Sequence, residues 1–256
     1  MEPASLRRHT QRGTYDIESA KAVFDDCFTA HVSYVDKGLP QCLPMIALVM
    51  KEEAEEADGL EHGPAPLLEE GNTVVYLHGH PGTRIVELAR EASLEPVKVC
   101  IVATKVDGLV LSSAPNGHTF NYRSAVIHGT CTLVKSKAIK RIVMRAVTNH
   151  IVPNRWEEVN PVASYQISLV SVIKVSIDSL SVKTRTGPPG IQPRDREVDG
   201  PDNENPPWVG VVPVWELLGD PAEPGLIPGG RVSENLRGHI ERRNNKQQAH
   251  SRLVAG

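Results

Sequence analysis

The chain has 256 residues, of which 40% are hydrophobic, enough apolar material for a packed core and too much for a wholly disordered protein. Its formal charge of −3 gives no electrostatic case for nucleic acid as the main partner. The opening MEPASLRRHTQRG lacks the apolar stretch of a secretory signal and no apolar run reaches membrane-span length, so the sequence reads as cytoplasmic, with no membrane partner.

Residues 1–15 are polar and are expected to form a mobile N-terminal arm. From Asp16, a plausible N-cap, Ile17, Ala20, Phe24, Cys27 and Phe28 recur at helical spacing. HVSYV (31–35) alternates like a half-buried strand, Asp36-Lys37-Gly38 reads as a turn, and QCLPMIALVM as the returning strand of a hairpin. Residues 51–70 carry eight acidic side chains against one lysine and read as a solvated insertion between strands. VVYLHG, from Val74, is a β-branched strand that breaks at Gly79-His80-Pro81-Gly82, with a short helix expected over 83–92.

VKVCIVATKV and LVLSSAP are read as strands flanking an Asp107-Gly108 turn, and SAVIHGTCTLV as another strand. Lys137 to Ile151 is helical, with Ile139, Ile142, Val143, Ala146, Val147 and His150 on one face. SYQISLVSVIKVSI and SLSVKTRTG complete the expected sheet. A Pro-rich linker is expected over 187–207, then an apolar return, PWVGVVPVWELL, and a poorly ordered tail over 219–256. The main domain is thus residues 16–218, mainly β with inserted helices. The absence of regular β-α-β alternation speaks against a doubly wound parallel fold, and many short antiparallel strands with a few inserted helices suit a closed or split barrel.

Two clusters carry chemistry. In VVYLHGHPGTRIVEL the glycines free the backbone, Thr83 caps a helix, and Arg84 adds a cation beside its unpaired N–H groups, the makings of a phosphate site. In NYRSAVIHGTCTLV, Asn121, Tyr122, Arg123 and Ser124 bring hydrogen-bonding groups and a second guanidinium to the start of a strand. Together they suggest a phosphorylated ligand held by a β-protein. No H-E-x-x-H or His/Cys cluster points to a metal, and no Walker, G-x-G-x-x-G or G-x-S-x-G pattern occurs. Cys27, Cys42, Cys100 and Cys131 have no paired spacing and read as buried reduced thiols.

The order RGTYD…HVSYVDKGLPQCLPM…YLHGHPGTR…DGLVLSS…NYRSAVIHG…KTRTGPP, from Arg12 to Trp215, resembles the flavin-nucleotide-binding branch of the pyridoxamine 5′-phosphate oxidase-like superfamily. That branch includes the 5-nitroimidazole resistance (Nim-type) proteins. The resemblance implies a split β-barrel of the Greek-key, FMN-binding type, working as a homodimer with FMN at the subunit interface. It puts Arg84 and Thr83 on the FMN phosphate, and Asn121, Tyr122, Arg123 and Ser124 on phosphate or ribityl oxygens. It sets Pro44, Met45 and Ile46 along the isoalloxazine ring, with His78 and Gly79 beside the flavin and His78 as proton donor. Lys183, Arg185 and Trp208 would cross to the partner's site. The implied activity is an FMN-dependent oxidoreductase acting on a small organic acceptor. Two alternatives stay open: a flavin or haem carrier without catalysis, and a pathway enzyme that uses the pocket without flavin.

Overall fold

The computed structural model describes residues 4–53, 72–92, 96–190, 207–222 and 227–256. The acidic insertion from residue 54 onward, and most of the Pro-rich linker, 191–206, lie outside the described residues. The N-terminal arm is not featureless: Thr10–Arg12 makes a 3-10 turn, Gly13–Thr14 (β1) pairs with a later strand, and Ala4 is buried.

Helix α1 (Ile17–Asp26) starts where the sequence places its cap. The Asp16 carboxylate accepts the Ser19 N–H at 2.7 Å, and this bond holds its pKa below the usual value. Strands β2 (Ala30–Asp36) and β3 (Leu39–Met45) form the expected hairpin. Its two-residue turn, Lys37 and Gly38, has φ of +50° and +78°, which matches the twist of the flanking strands. Pro40 and Pro44 withhold ladder donors from β3, as suits a strand at the end of a sheet.

The returning strand is not continuous. It breaks at Ile46 and resumes as β4 (Ala47–Lys51), which pairs with β5 (Thr73–Gly79) instead of β2. With β6 (Lys98–Leu111), β7 (Thr119–Leu133) and β8 (Ser171–Arg185), the hydrogen-bonded order is β3-β2-β6-β7-β8-β5-β4. The first and last strands of that path are successive pieces of one chain. The sheet therefore rolls up without closing, as a split barrel does.

Two other readings are corrected. Asp107-Gly108 is not a turn, since β6 runs straight through it for 14 residues. SYQISL is not strand but helix α5 (Ser164–Leu169), whose Gln166 side chain accepts the Ala163 N–H at 2.7 Å, half of a capping box. Between β7 and α5 come α3 (Lys137–Ile151), capped by the Ser136 hydroxyl, and the single turn α4 (Arg155–Glu158).

By contact density the chain divides into two compact units. The first, Met1–Thr104 with Ser124–Val182, holds the apolar core. Val32, Val49, Val75, Leu77, Ile101, Ile127, Ile173 and Val175 fill it, the aliphatic mixture expected of a chain so poor in aromatics. The other face of β4, β5 and β8 receives Ile139, Val143 and Val147 of α3 against Leu48, Val74, Tyr76 and Val172. Ile142, expected on that face, is 39% exposed. Cys27 and Cys131 are buried, and burial pushes the Cys131 thiol up to about 12. Cys42, expected inside, is exposed on β3.

The second unit is Lys105–Arg123 with Lys183–Gly256. In it the apolar return forms β9 (Gly210–Pro213), antiparallel to the end of β6. The tail expected to be poorly ordered contains a 22-residue helix, α6 (Glu234–Ala255), capped by Ser233. Its seat is polar. Ser251 donates to the Val214 carbonyl at 2.6 Å, and the Asn244 amide exchanges two hydrogen bonds with Leu218. No described helix is long and apolar enough to cross a membrane.

Candidate functional site

The corner after β5 is built by three stretches of the first unit. β5 ends at Gly79, and the chain turns with Thr83 N–H on the His80 carbonyl at 2.9 Å and Gly82 N–H on His80 Nδ1 at 3.1 Å. Helix α2 (Arg84–Glu91) then begins with Thr83 as N-cap, whose hydroxyl makes no cap bond. A Cβ placed on Gly79 would stand 3.6 Å from Met45 Cε and 3.6 Å from Thr83 Oγ1. Glycine thus leaves a bare backbone surface between a thioether and a free-standing hydroxyl. Pro44 is exposed next to this corner in sequence, and Ile46 packs into the α3 side of the sheet.

His78 sits one residue before Gly79 and opposite Val172 on β8, so its side chain shares the α3 face with Val172 and Tyr76 and points away from Met45 and the corner. Its Nδ1 is enclosed with no hydrogen-bond partner, and desolvation pulls its pKa below the ordinary 6.5, so the ring is neutral at pH 7. A depressed folded-state pKa means that the unfolded chain takes up the proton first. The stability this neutrality represents is complete above the ordinary value and is lost as pH falls through the lower folded one. The urea midpoint should therefore hold near pH 8 and decline below about pH 6.5. His78→Gln should flatten that decline, and an unaltered slope in the variant would discount His78.

Arg84 opens α2 as expected, but its fork is filled. Nε lies 2.9 Å from Asp36 Oδ2 and Nη2 lies 3.0 Å from Asp36 Oδ1. The remaining Nη1 is 3.3 Å from Glu87 and 3.7 Å from Glu91. The hydrogen bonds between them raise the Arg84 pKa and lower that of Asp36.

The second sequence cluster serves the second unit, except Ser124, which belongs to the first. Arg123 donates Nε and Nη2 to the buried Asp107 carboxylate at 2.9 and 2.8 Å. Asn121, fully buried, donates to the Gly187 and Val254 carbonyls at 3.2 and 3.1 Å. Arg185 is buried on Asn121 and on the Gly187 and Pro188 carbonyls. Tyr122 and Lys183 are half-buried, and Trp208 is 63% exposed with its ring across Gly210.

The structure thus brings Met45, Gly79 and Thr83 together and sets Arg84 on Asp36. It gives Asn121, Arg123 and Arg185 internal partners in the second unit. Sequence reasoning missed Asp36 and Asp107 because both stood in apparent turns. Among the described residues no cluster of three or more His, Cys, Asp or Glu could hold a metal.

The fold is thus a mainly antiparallel split barrel with a glycine at the corner where β5 gives way to α2. The chain matches the family model described as pyridoxamine 5′-phosphate oxidase over residues 16–184, and it belongs to that family. Its fold is similar to that of the flavocytochrome Anf3 from Azotobacter vinelandii, with a TM-score of 0.72 and 24% identity over 93% of this chain and 97% of that one. The FAD and heme binding protein from Mycobacterium smegmatis gives a TM-score of 0.69 and 21% identity over 90% of this chain and 97% of the other. No curated protein matches the chain in sequence.

Proposed function

We propose that the chain is a flavin-dependent oxidoreductase, with FMN as the cofactor its family implies and a small organic molecule as acceptor. The observation that carries this reading is the corner of Gly79, Met45 and Thr83. A flat ring can approach backbone closely only where no Cβ intervenes, and Met45 supplies a polarizable apolar contact. Flavin, when bound, supplies the hydride or electron transfer. The chain's part is to bind and orient it. Homodimerisation belongs to this reading. The end strand β3 exposes Leu39, Pro40, Cys42 and Pro44, and a partner copy would cover them. Light scattering should give twice the chain mass at micromolar concentration.

A second reading, flavin together with haem, is favoured by two observations. The flavocytochrome and the FAD and heme binding protein match over 93% and 90% of this chain, beyond the family segment. His78 Nδ1, His128 Nδ1 and His239 Nε2 are also enclosed without hydrogen-bond partners, and an unpartnered imidazole nitrogen is what haem iron takes up.

The visible spectrum of the purified protein, with mass spectrometry of the released ligand, tests both. Flavin bands alone support the first reading and an added Soret band the second. Protein that stays colourless and binds no added flavin overturns both. A flavin that accepts electrons but passes none to any acceptor would leave a carrier.

A further inference from the structure

The guanidinium that the family resemblance assigns to phosphate has each of its three nitrogens hydrogen-bonded to a carboxylate. Nε and Nη2 of Arg84 meet the two oxygens of Asp36 at 2.9 and 3.0 Å, the side-on, two-point arrangement a phosphate would itself need. Nη1 faces Glu87 and Glu91. We propose that Asp36 is a specificity-determining residue: it fills the Arg84 fork and withdraws that cation from a ligand at the Gly79–Thr83 corner, so the flavin is selected by its ring and the phosphate adds little. The proposal rests on the flavin reading above.

Charge and geometry both support it. Arg84 and Lys37 with the carboxylates of Asp36, Glu87 and Glu91 leave the group at a net −1, and a phosphate dianion would have to enter against that field. The opposing influence is the start of α2, where the helix dipole offers roughly half a positive charge. A net negative charge outweighs that half charge. Asp36 is also not free to swing aside. It is the last residue of β2, paired with Leu39, and the next two residues are locked in left-handed turn geometry. An internal carboxylate held in place competes for the fork without the entropy loss that a free ligand incurs.

The test is titration of the full-length apo-protein with FMN and with riboflavin, followed by quenching of flavin fluorescence at fixed salt. Wild type should bind the two within about threefold of each other. Asp36→Asn keeps the side-chain shape but removes the charge. It should raise the preference for FMN by about tenfold or more, with riboflavin affinity unchanged. Arg84→Ala in the wild-type background should leave the FMN-to-riboflavin ratio where it was, and in the Asp36→Asn background should abolish the gain.

A wild-type preference for FMN above about tenfold that Arg84→Ala removes would overturn the proposal while leaving the flavin reading intact. So would an Asp36→Asn protein whose ratio does not move. Binding of neither flavin by wild type would overturn both together. Should a variant fail to fold, the wild-type ratio alone still decides.

Discussion

Gly129→Ala is expected to cost about 3 kcal/mol or more and to lower the melting temperature by roughly 6–12 °C. Gly129 lies in β7, and a Cβ there would run into the Ser176 carbonyl oxygen and stand 2.6 Å from Val175 Cγ1. A flexible side chain could rotate away from such a clash. A backbone oxygen of the adjacent strand cannot, so β7 and β8 must part or shift. Both lie mid-way along the strand path, and both contribute core residues, Ile127 and Cys131 from one and Ile173 and Val175 from the other. The displacement is therefore passed straight to the packed interior, which is too dense to absorb it. Gly219→Ala is the control, since nothing lies within 4 Å of its added carbon. If Gly129→Ala melts within about 2 °C of wild type, the close approach of these strands is not real.

Asp107→Ala should destabilise the second unit by about 3–5 kcal/mol, the usual consequence of removing one partner from a buried ion pair. The Asp107 side chain is 4% exposed and that of Arg123 is 16% exposed. Losing the carboxylate leaves the guanidinium desolvated without its two-point acceptor, while His250, 3.5 Å away, loses its acidic neighbour. Replacing both members, as in Asp107→Leu with Arg123→Met, should cost less than Asp107→Ala alone, because no stranded charge remains. Hydrogen exchange is the suitable measurement. Amides of β9 and α6 should lose protection, while those of β2 and β5 keep theirs. Uniform loss across both sets, or none, would contradict this account.

What the sequence made legible was local. The Asp16 cap, the α3 face, the Lys37-Gly38 hairpin and the Gly79 corner all declare themselves within a few residues. The failures share a cause, which is that the deciding partner lies far along the chain. Asp-Gly is a strong hairpin signal, but Gly108 lacks a side chain because Val211 approaches it, with room for only 2.8 Å to an added Cβ. Arg84 looked free because Asp36 is 48 residues away. Ile46 divides a strand that alternation alone would run through, since its two halves take different partners. Helix α6 escaped notice because its buried positions include Gln247 and Ser251, so no apolar period betrays it.

That polar seat beneath α6 sets how the helix can be dislodged. Its anchors are Ser251 on Val214, Asn244 on Leu218, the Gly187 N–H on the Val254 carbonyl, and Arg243 on Glu216. Detachment would expose chiefly amide, hydroxyl and charged groups. Such an opening carries a small denaturant m-value and a small heat-capacity change, because both scale with the surface newly wetted, and the latter with its apolar part. Urea would thus reveal the helix poorly as a separate transition. Ionic strength, which screens its charged contacts, would shift its equilibrium at concentrations that leave the aliphatic barrel core untouched.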